Sequence, residues 1–360
     1  MQNIEKKTKE NKSDKDPTGK RFWILCISLA SLLVVTFFVS FVLGRYSGIS
    51  IGSVFKILVN QIFEIFEQTW EARDVTVVTK LRLPRILASI LVGAALAISG
   101  ATYQALFANP MASSDTLGVS SGSGLGACFG ILLGWSSAWI SSSAFIIGVI
   151  AVLFTLFVSF LISRGKNSTV FLVLIGMVIS SFLSAIISII KYVADPEDQL
   201  PEITYWLMGS FSGVDMKEVL VFLVLFLLGF IPLFLIRWRM NLLSLSYYEA
   251  RSLGENVNVL RVICIICATL LTAASVAISG GIGWVGLVVP HIVRVIVGND
   301  FRRILPASAL MGSVYLLIMD DLSRCMFASE IPIGILTSVI GVPVFFIILI
   351  LYRRNLVDGT

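Results

Sequence analysis

AISGATYQALFANP (residues 97–110) and AISGGIGWVGLVVP (residues 277–290) share their first four letters, and each places a proline ten residues after its glycine. The copies lie 180 positions apart in a chain of 360, and the match extends backward through Leu91 with Leu271 and Ala94 with Ala274. So short an apolar match gains weight only if the two halves share an architecture. Both copies sit in uncharged windows, at 86–114 and 262–293, and further windows cover 22–44, 116–163, 167–190, 219–236, 304–319 and 331–352. With 57% hydrophobic and 14% charged residues, the chain departs from the roughly 25% charged composition of soluble domains. It reads as an integral membrane protein.

A bilayer is crossed by about 20 residues of helix. The 116–163 window therefore holds two spans, with a break near Gly134 to Ser143, where Trp135 and Trp139 suit an interface. The 262–293 window resolves into a full helix at about 258–280 and a short one from about 284 to 298. This gives an all-α polytopic fold of ten transmembrane helices. The AISG copies then fall in the second and seventh spans, five apart, and cross in opposite directions. The repeat is thus an inverted one about an axis in the membrane plane. In that scheme Pro110 ends a helix and Pro290 opens the short segment.

Continuous apolar runs do not suit a membrane barrel, which needs alternating segments of about ten residues. The first window is too long for a signal-peptide core, and no small-residue cleavage site precedes Arg45, so it reads as a retained helix. Orientation follows the Lys/Arg bias of the loops. With the amino terminus inside, 18 of the 27 basic residues face the cytoplasm, including a basic tail over 1–21 that reads as disordered; the ten-helix membrane body then covers 22–360. The net charge of +5 reports topology and excludes nucleic-acid binding as its cause.

Chemistry is scarce. The single histidine, His291, and five cysteines form no metal-ligand spacing or catalytic triad, and Cys264 and Cys267 lie in an apolar helix where packing outweighs redox use. No phosphate-cradling loop exists, since Gly19 and Lys20 lack the required glycine upstream. The chain is not expected to be an enzyme or to bind a cofactor; ATP and Mg²⁺ would belong to a partner chain.

Four features depart from plain lipid-facing helix. Gly118, Gly122, Gly126, Gly130 and Gly134 recur every fourth residue, a stripe that lets another helix approach closely; tight packing outweighs substrate contact, although Ser120, Ser121 and Ser123 suggest a polar border. The short segment GWVGLVVPHIVRVIVG carries Pro290, His291 and Arg294, which are tolerated at membrane depth only in the protein interior. Arg82 and Arg85 in RLPR, and Arg324 after the ninth span, mark helix mouths on the outer side; snorkelling to lipid phosphates and pairing with a partner's carboxylates both fit them. Residues 237–258 inside are long enough for two short helices that lie on the membrane or dock on a cytosolic protein.

RLPR, ALFANPMASSDTLGVSSGSGLGA, EARSLGENV, GWVGLVVPHIVR, FRRILP and IPIGILTSVIGVPVF, in that order, resemble the FecCD family of ABC-importer permeases, which serve iron-siderophores, haem and vitamin B12. The resemblance covers nearly everything from Arg82 to Tyr352. It implies the type II importer fold, a dimer with a second permease copy or homologue around a central path, two cytosolic ATPases, and an extracellular binding protein. It further implies that Arg82, Arg85 and Arg324 receive acidic residues of that binding protein. Glu249, Ala250, Arg251, Leu253 and Gly254 match the loop that fits the ATPase, and Asn109, Met111, Ser168 and Thr169 sit where the family closes its inner gate. The expected cargo is an iron complex, with cobalamin as the alternative. An ion-coupled secondary transporter is the rival from another class, weakened by the near absence of mid-span ionisable residues; a receptor or scaffold would leave the polar breaks unexplained.

Overall fold

The computed structural model describes residues 17–357, except 45–48, 64, 69, 163–168, 246 and 328. In chain order the helices are α1 (Pro17–Val42), α2 (Ile51–Phe63), α3 (Ala72–Thr76), α4 (Leu83–Leu106), α5 (Val119–Leu132), α6 (Ser137–Ile162), α7 (Thr169–Val193), α8 (Gln199–Met208), α9 (Met216–Ile236), α10 (Tyr247–Ser252), α11 (Val257–Ser279), α12 (Val285–Val297), α13 (Phe301–Cys325) and α14 (Ile333–Val357). No strand occurs among the described residues. Among the described residues, seven stretches are long and apolar enough to cross a membrane, and the shorter apolar helices α5 and α12 and the Ile333–Ile348 part of α14 fill the remaining expected spans. Residues 1–16 of the expected tail lie outside the described residues, while from Pro17 onward the chain is already helical, so helix begins ahead of the boundary expected at residue 21.

Each half runs as two helices, a short helix, then two more: α1, α4, α5, α6, α7 and α9, α11, α12, α13, α14. The short members have 14 and 13 residues, about 20 Å at 1.5 Å per residue, well below the roughly 30 Å of a hydrocarbon core. They are accordingly interior. The break expected near Gly134 falls between Leu132 and Ser137, with Gly134 at φ +68. Three helices are unanticipated: α2, interrupted by Lys56, the five-residue α3, and α8, whose ten residues include Pro201 and Glu202 and so leave no apolar window to detect.

The core is built around α4, with 83% of its most apolar window buried against 17% for α1 and α7, which form the periphery. Lipid gives no hydrophobic drive between helices, so close backbone approach must supply the packing. Three glycine contacts do so. A Cβ on Gly93 would lie 2.8 Å from the Gly312 carbonyl carbon of α13; one on Gly100 would lie 2.5 Å from Gly286 Cα of α12; one on Gly312 would meet Ala97 Cβ at 2.7 Å. The expected stripe on α5 faces α6: a Cβ on Gly122 would reach Ala151 Cβ at 2.5 Å, on Gly126 Ala144 Cα at 2.9 Å, and on Gly130 Ile140 Cγ1 at 3.0 Å. The ends differ, because Gly118 (φ +83) precedes α5 beside Ser180, and Gly134 has nothing within 4 Å.

The identical AISG segments take different conformations. The first continues as helix to Leu106, since Ala-Thr-Tyr-Gln-Ala-Leu follows. The second stops at Ser279, because Gly280, Gly281 and Gly283 follow, and glycine pays a large entropy cost in a helix; Gly280 adopts φ +67. Pro290 does not open the short helix as expected. It is the sixth residue of α12, whose start is set by Trp284 at φ +70. Without an N–H, Pro290 leaves the Gly286 carbonyl free of a helical partner, and that carbonyl is the group packed against Gly100.

Candidate functional site

At one end of the bundle, the three predicted arginines come together. Pro84 cannot donate to the carbonyl four residues earlier, and the preceding turn Val77–Arg82 widens into a π-helix in which Leu83 N–H donates to Val78 O. This turn places Arg82 and Arg85 beside the end of α13. Asp320 there bridges two of the arginines: it accepts from Arg85 Nε at 2.9 Å and forms ion pairs with Arg85 Nη2 at 2.9 Å and Arg324 Nε at 3.2 Å. Arg324 also pairs with Asp321, which accepts from Ser40 Oγ of α1 at 2.6 Å. Arg85 Nη1 makes a second pair, 2.9 Å to Glu330 in the α13–α14 loop. Arg82 reaches the same corner: a Cβ on Gly44 would lie 3.8 Å from both Arg82 Nη2 and Arg324 Nη1. All three are buried, at 4%, 8% and 7% exposure. They are buried rather than snorkelling side chains, and Arg85 and Arg324 pair with Asp320, Asp321 and Glu330 inside the chain.

At the opposite end lies the segment after α9. It forms a 3₁₀ turn, Arg239–Ser244, and the helix α10, close to the two short helices expected. Ala250 anchors it by full burial, whereas Glu249, Arg251 and Leu253 are exposed, Leu253 at 65%. Gly254 holds φ +83 in open surroundings, the left-handed turn that sends the chain into α11. An Arg239–Glu255 pair at 3.0 Å closes the loop on itself. The sequence reading missed its anchor to the bundle: Asn241 Nδ2 donates to Asp300 Oδ1 at 2.9 Å, and Asn241 Oδ1 accepts from Phe301 N at 2.9 Å. Asp300 caps α13, accepting from Arg302 N. Burial works against its ionised form, but the Asn241 amide and the Arg302 backbone and guanidinium outweigh it and hold the carboxyl below its usual range. It therefore stays charged at neutral pH and locks the loop to α13.

The predicted gate residues are partly visible. Asn109 Oδ1 accepts from Met111 N at 2.9 Å in a tight turn just past α4, entered through Ala108 at φ +46, and Met111 is exposed. Thr169 opens α7; Ser168 lies outside the described residues. His291 is buried, its ring set edge-on to Phe345 at 6.5 Å.

Between these ends a cleft of about 370 Å³ is lined by Ser120, Ser121 and Gly124 of α5, Ser184, Ile187 and Ser188 of α7, Trp206 and Leu207 of α8, Val276 of α11, and Gly281. Its floor is a glycine node. A Cβ on Gly209 would lie 2.6 Å from Gly281 O, and one on Gly334 would lie 2.7 Å from the same oxygen. Ser210 N donates to Ser279 O and Ile333 N to Gly209 O, tying α8, α11 and α14 together. Four hydroxyls and one indole offer hydrogen bonds and a stacking surface without fixed charge.

Some of this was readable. Asp320 and Asp321 precede Arg324 by four and three residues, the helical spacing for ion pairs with the acid first. Glu330 and Asn241 carry no local signal, since their partners lie 245 and 59 positions away.

The comparisons agree with one another. The sequence profile of the FecCD transport family matches residues 32–351. The molybdate import system permease of Haemophilus influenzae is 38% identical over 333 residues, covering 92% of this chain and 96% of that protein. A probable iron chelatin transport system permease of Helicobacter pylori is 40% identical over 279 residues (78% and 83%), and the vitamin B12 import system permease of Escherichia coli is 36% identical over 342 residues (92% and 96%). A solved structure described as an inward-facing metal-chelate type ABC transporter superposes with TM-score 0.79 at 38% identity, covering 90% of this chain and 98% of that one. A Streptococcus pneumoniae complex, PsaBC bound to Fab, shares the fold with TM-score 0.55 at 14% identity. With the profile matched over most of its length and relatives above 30% identity covered almost end to end, the chain belongs to the FecCD transport family and is a permease subunit of an ABC importer.

Proposed function

We propose that this permease carries an iron complex, a siderophore chelate or haem, with the arginine end facing outward and the α10 loop facing the cytoplasm. The observation favouring a chelate is the cleft beside α8: hydroxyls and Trp206 with no charged residue among its described lining. A small divalent oxyanion such as molybdate calls for cationic donors, whereas a large chelate with buried metal charge suits neutral, weakly adhesive walls. Cobalamin is the alternative of the same type. A second permease chain would complete the path, the ATPases would seat against Glu249, Arg251, Leu253 and Gly254, and an extracellular binding protein would dock at Arg82, Arg85 and Arg324. ATP binding then shifts the population between inward- and outward-open states, with the loop's motion passed to α13 through Asn241 and Asp300.

The direct test is uptake into proteoliposomes containing the complete transporter, with radiolabelled ferric siderophore, haem, cobalamin and molybdate as competing substrates. Uptake of a ferric chelate or haem, dependent on ATP, is expected; preferential cobalamin or molybdate uptake removes the assignment. Uptake driven by an ion gradient without the ATPase would contradict the energy source.

The loop assignment makes a separate prediction. Leu253→Asp touches no core contact, yet a truncated interface anchor typically costs 2 kcal/mol or more, so coupled uptake should fall by about 30-fold with the fold intact. Transport at the wild-type rate by this variant would show that Leu253 is not at the ATPase contact.

A further inference from the structure

Arg85 and Arg324 are already paired within the chain, to Asp320, Asp321 and Glu330. An incoming carboxylate from a docking protein therefore finds no vacant guanidinium at Arg85; it gains this partner only if a resident carboxylate leaves. The three residents differ in their freedom to do so. Asp320 is fully buried on α13 and bridges two guanidiniums, and Asp321 is held by Arg324 and Ser40 with its side chain 10% exposed. Glu330 sits on a loop, is 23% exposed, and touches a single guanidinium nitrogen, Arg85 Nη1. Its backbone is pinned next door, where Ile331 N donates to Ser323 O at 3.3 Å and Ser323 Oγ donates to Ile331 O. The side chain can thus swing away without moving α13 or α14, at the cost of one partly exposed ion pair.

We propose that Glu330 is a displaceable internal occupant of the Arg85 site, holding the position that a carboxylate of the docking protein takes on binding. The inference rests on the docking reading of Arg85 given above. Glu330 then sets docking strength by competition: it keeps Arg85 paired while the permease is alone, and it lowers affinity for a carboxylate-bearing partner by the worth of the pair it must surrender. Asp320 does not exchange, and serves as the fixed carboxylate that orients both guanidiniums.

The experiment uses the full-length transporter in nanodiscs. The arginine reagent p-hydroxyphenylglyoxal probes access to Arg85, followed by mass spectrometry, and the substrate-binding protein produced with the transporter probes docking by surface plasmon resonance at low salt. Glu330→Gln is expected to make Arg85 react about 2–5-fold faster and to tighten docking by a similar factor, the range that a partly exposed pair of up to about 1 kcal/mol allows. Glu330→Ser should act in the same direction. Unchanged Arg85 reactivity in both variants overturns the proposal. Docking that is unchanged or weaker in Glu330→Gln, while Arg85→Lys weakens it, overturns the exchange and leaves the docking reading standing. Docking by Arg85→Lys at wild-type strength overturns the docking reading, and the exchange with it.

Discussion

Asp320→Ala lowers stability by about 3–5 kcal/mol, the cost of leaving buried charge without its counter-ion. The effect is large because one fully buried carboxylate serves two arginines, Arg85 at 2.9 Å and Arg324 at 3.2 Å, and no water-exposed route can resolvate them where they sit at 8% and 7% exposure. The measurement is the thermal midpoint and monodispersity of purified protein in detergent, beside Glu330→Gln as a reference. That reference breaks a pair with one partner 23% exposed, for which solvent supplies most of the lost interaction, and it should cost under about 1 kcal/mol. Equal midpoints for Asp320→Ala and the wild type would show that the network is not structural.

Gly100→Leu prevents assembly of the bundle. A Cβ alone would lie 2.5 Å from Gly286 Cα, backbone to backbone, with no flexible side chain to yield, so α12 must separate from α4. Overpacking typically costs about 1–3 kcal/mol where neighbours can shift; here backbone meets backbone, so a leucine is expected to exceed the roughly 4–5 kcal/mol that marks exceptional destabilisation. Gly283→Ala is the matched control, only a few residues from the contact surface but with nothing within 4 Å of its Cβ, and its effect should stay within about 0.5 kcal/mol. The yield of folded protein in membranes and its size-exclusion profile give the comparison. Normal yield of Gly100→Leu would mean that α4 and α12 do not meet at this glycine.

The ten spans were legible because charge is excluded from lipid: every uncharged window became an apolar helix. The short segment after Gly280 was legible for the same reason, since Pro290, His291 and Arg294 are tolerated only in the interior, and α12 is buried around most of its circumference, at Val285, Val288, Val289, Pro290, His291 and Val293. The glycine stripe announced close packing by its spacing, though not that α6 is its partner for Gly122, Gly126 and Gly130. Helix α8 was illegible, being too short and too polar to stand out, and with it the wall of the cleft that Trp206 provides.

The sequence by itself determined that this is a ten-helix membrane protein with an inverted repeat, and its ordered motifs pointed to the FecCD family before any coordinates. The span count follows from composition and hydrophobic patterning, which act locally, whereas the family is a resemblance carried by the motifs. Only the tertiary structure decided that Arg85 and Arg324 are paired within the chain, that Asn241 fastens the loop to Asp300, and that one AISG continues as helix while the other ends one. Each depends on which distant residues become neighbours. A guanidinium's pairing and freedom are set by the carboxylates packed around it, and a glycine's role by the backbone pressed against it.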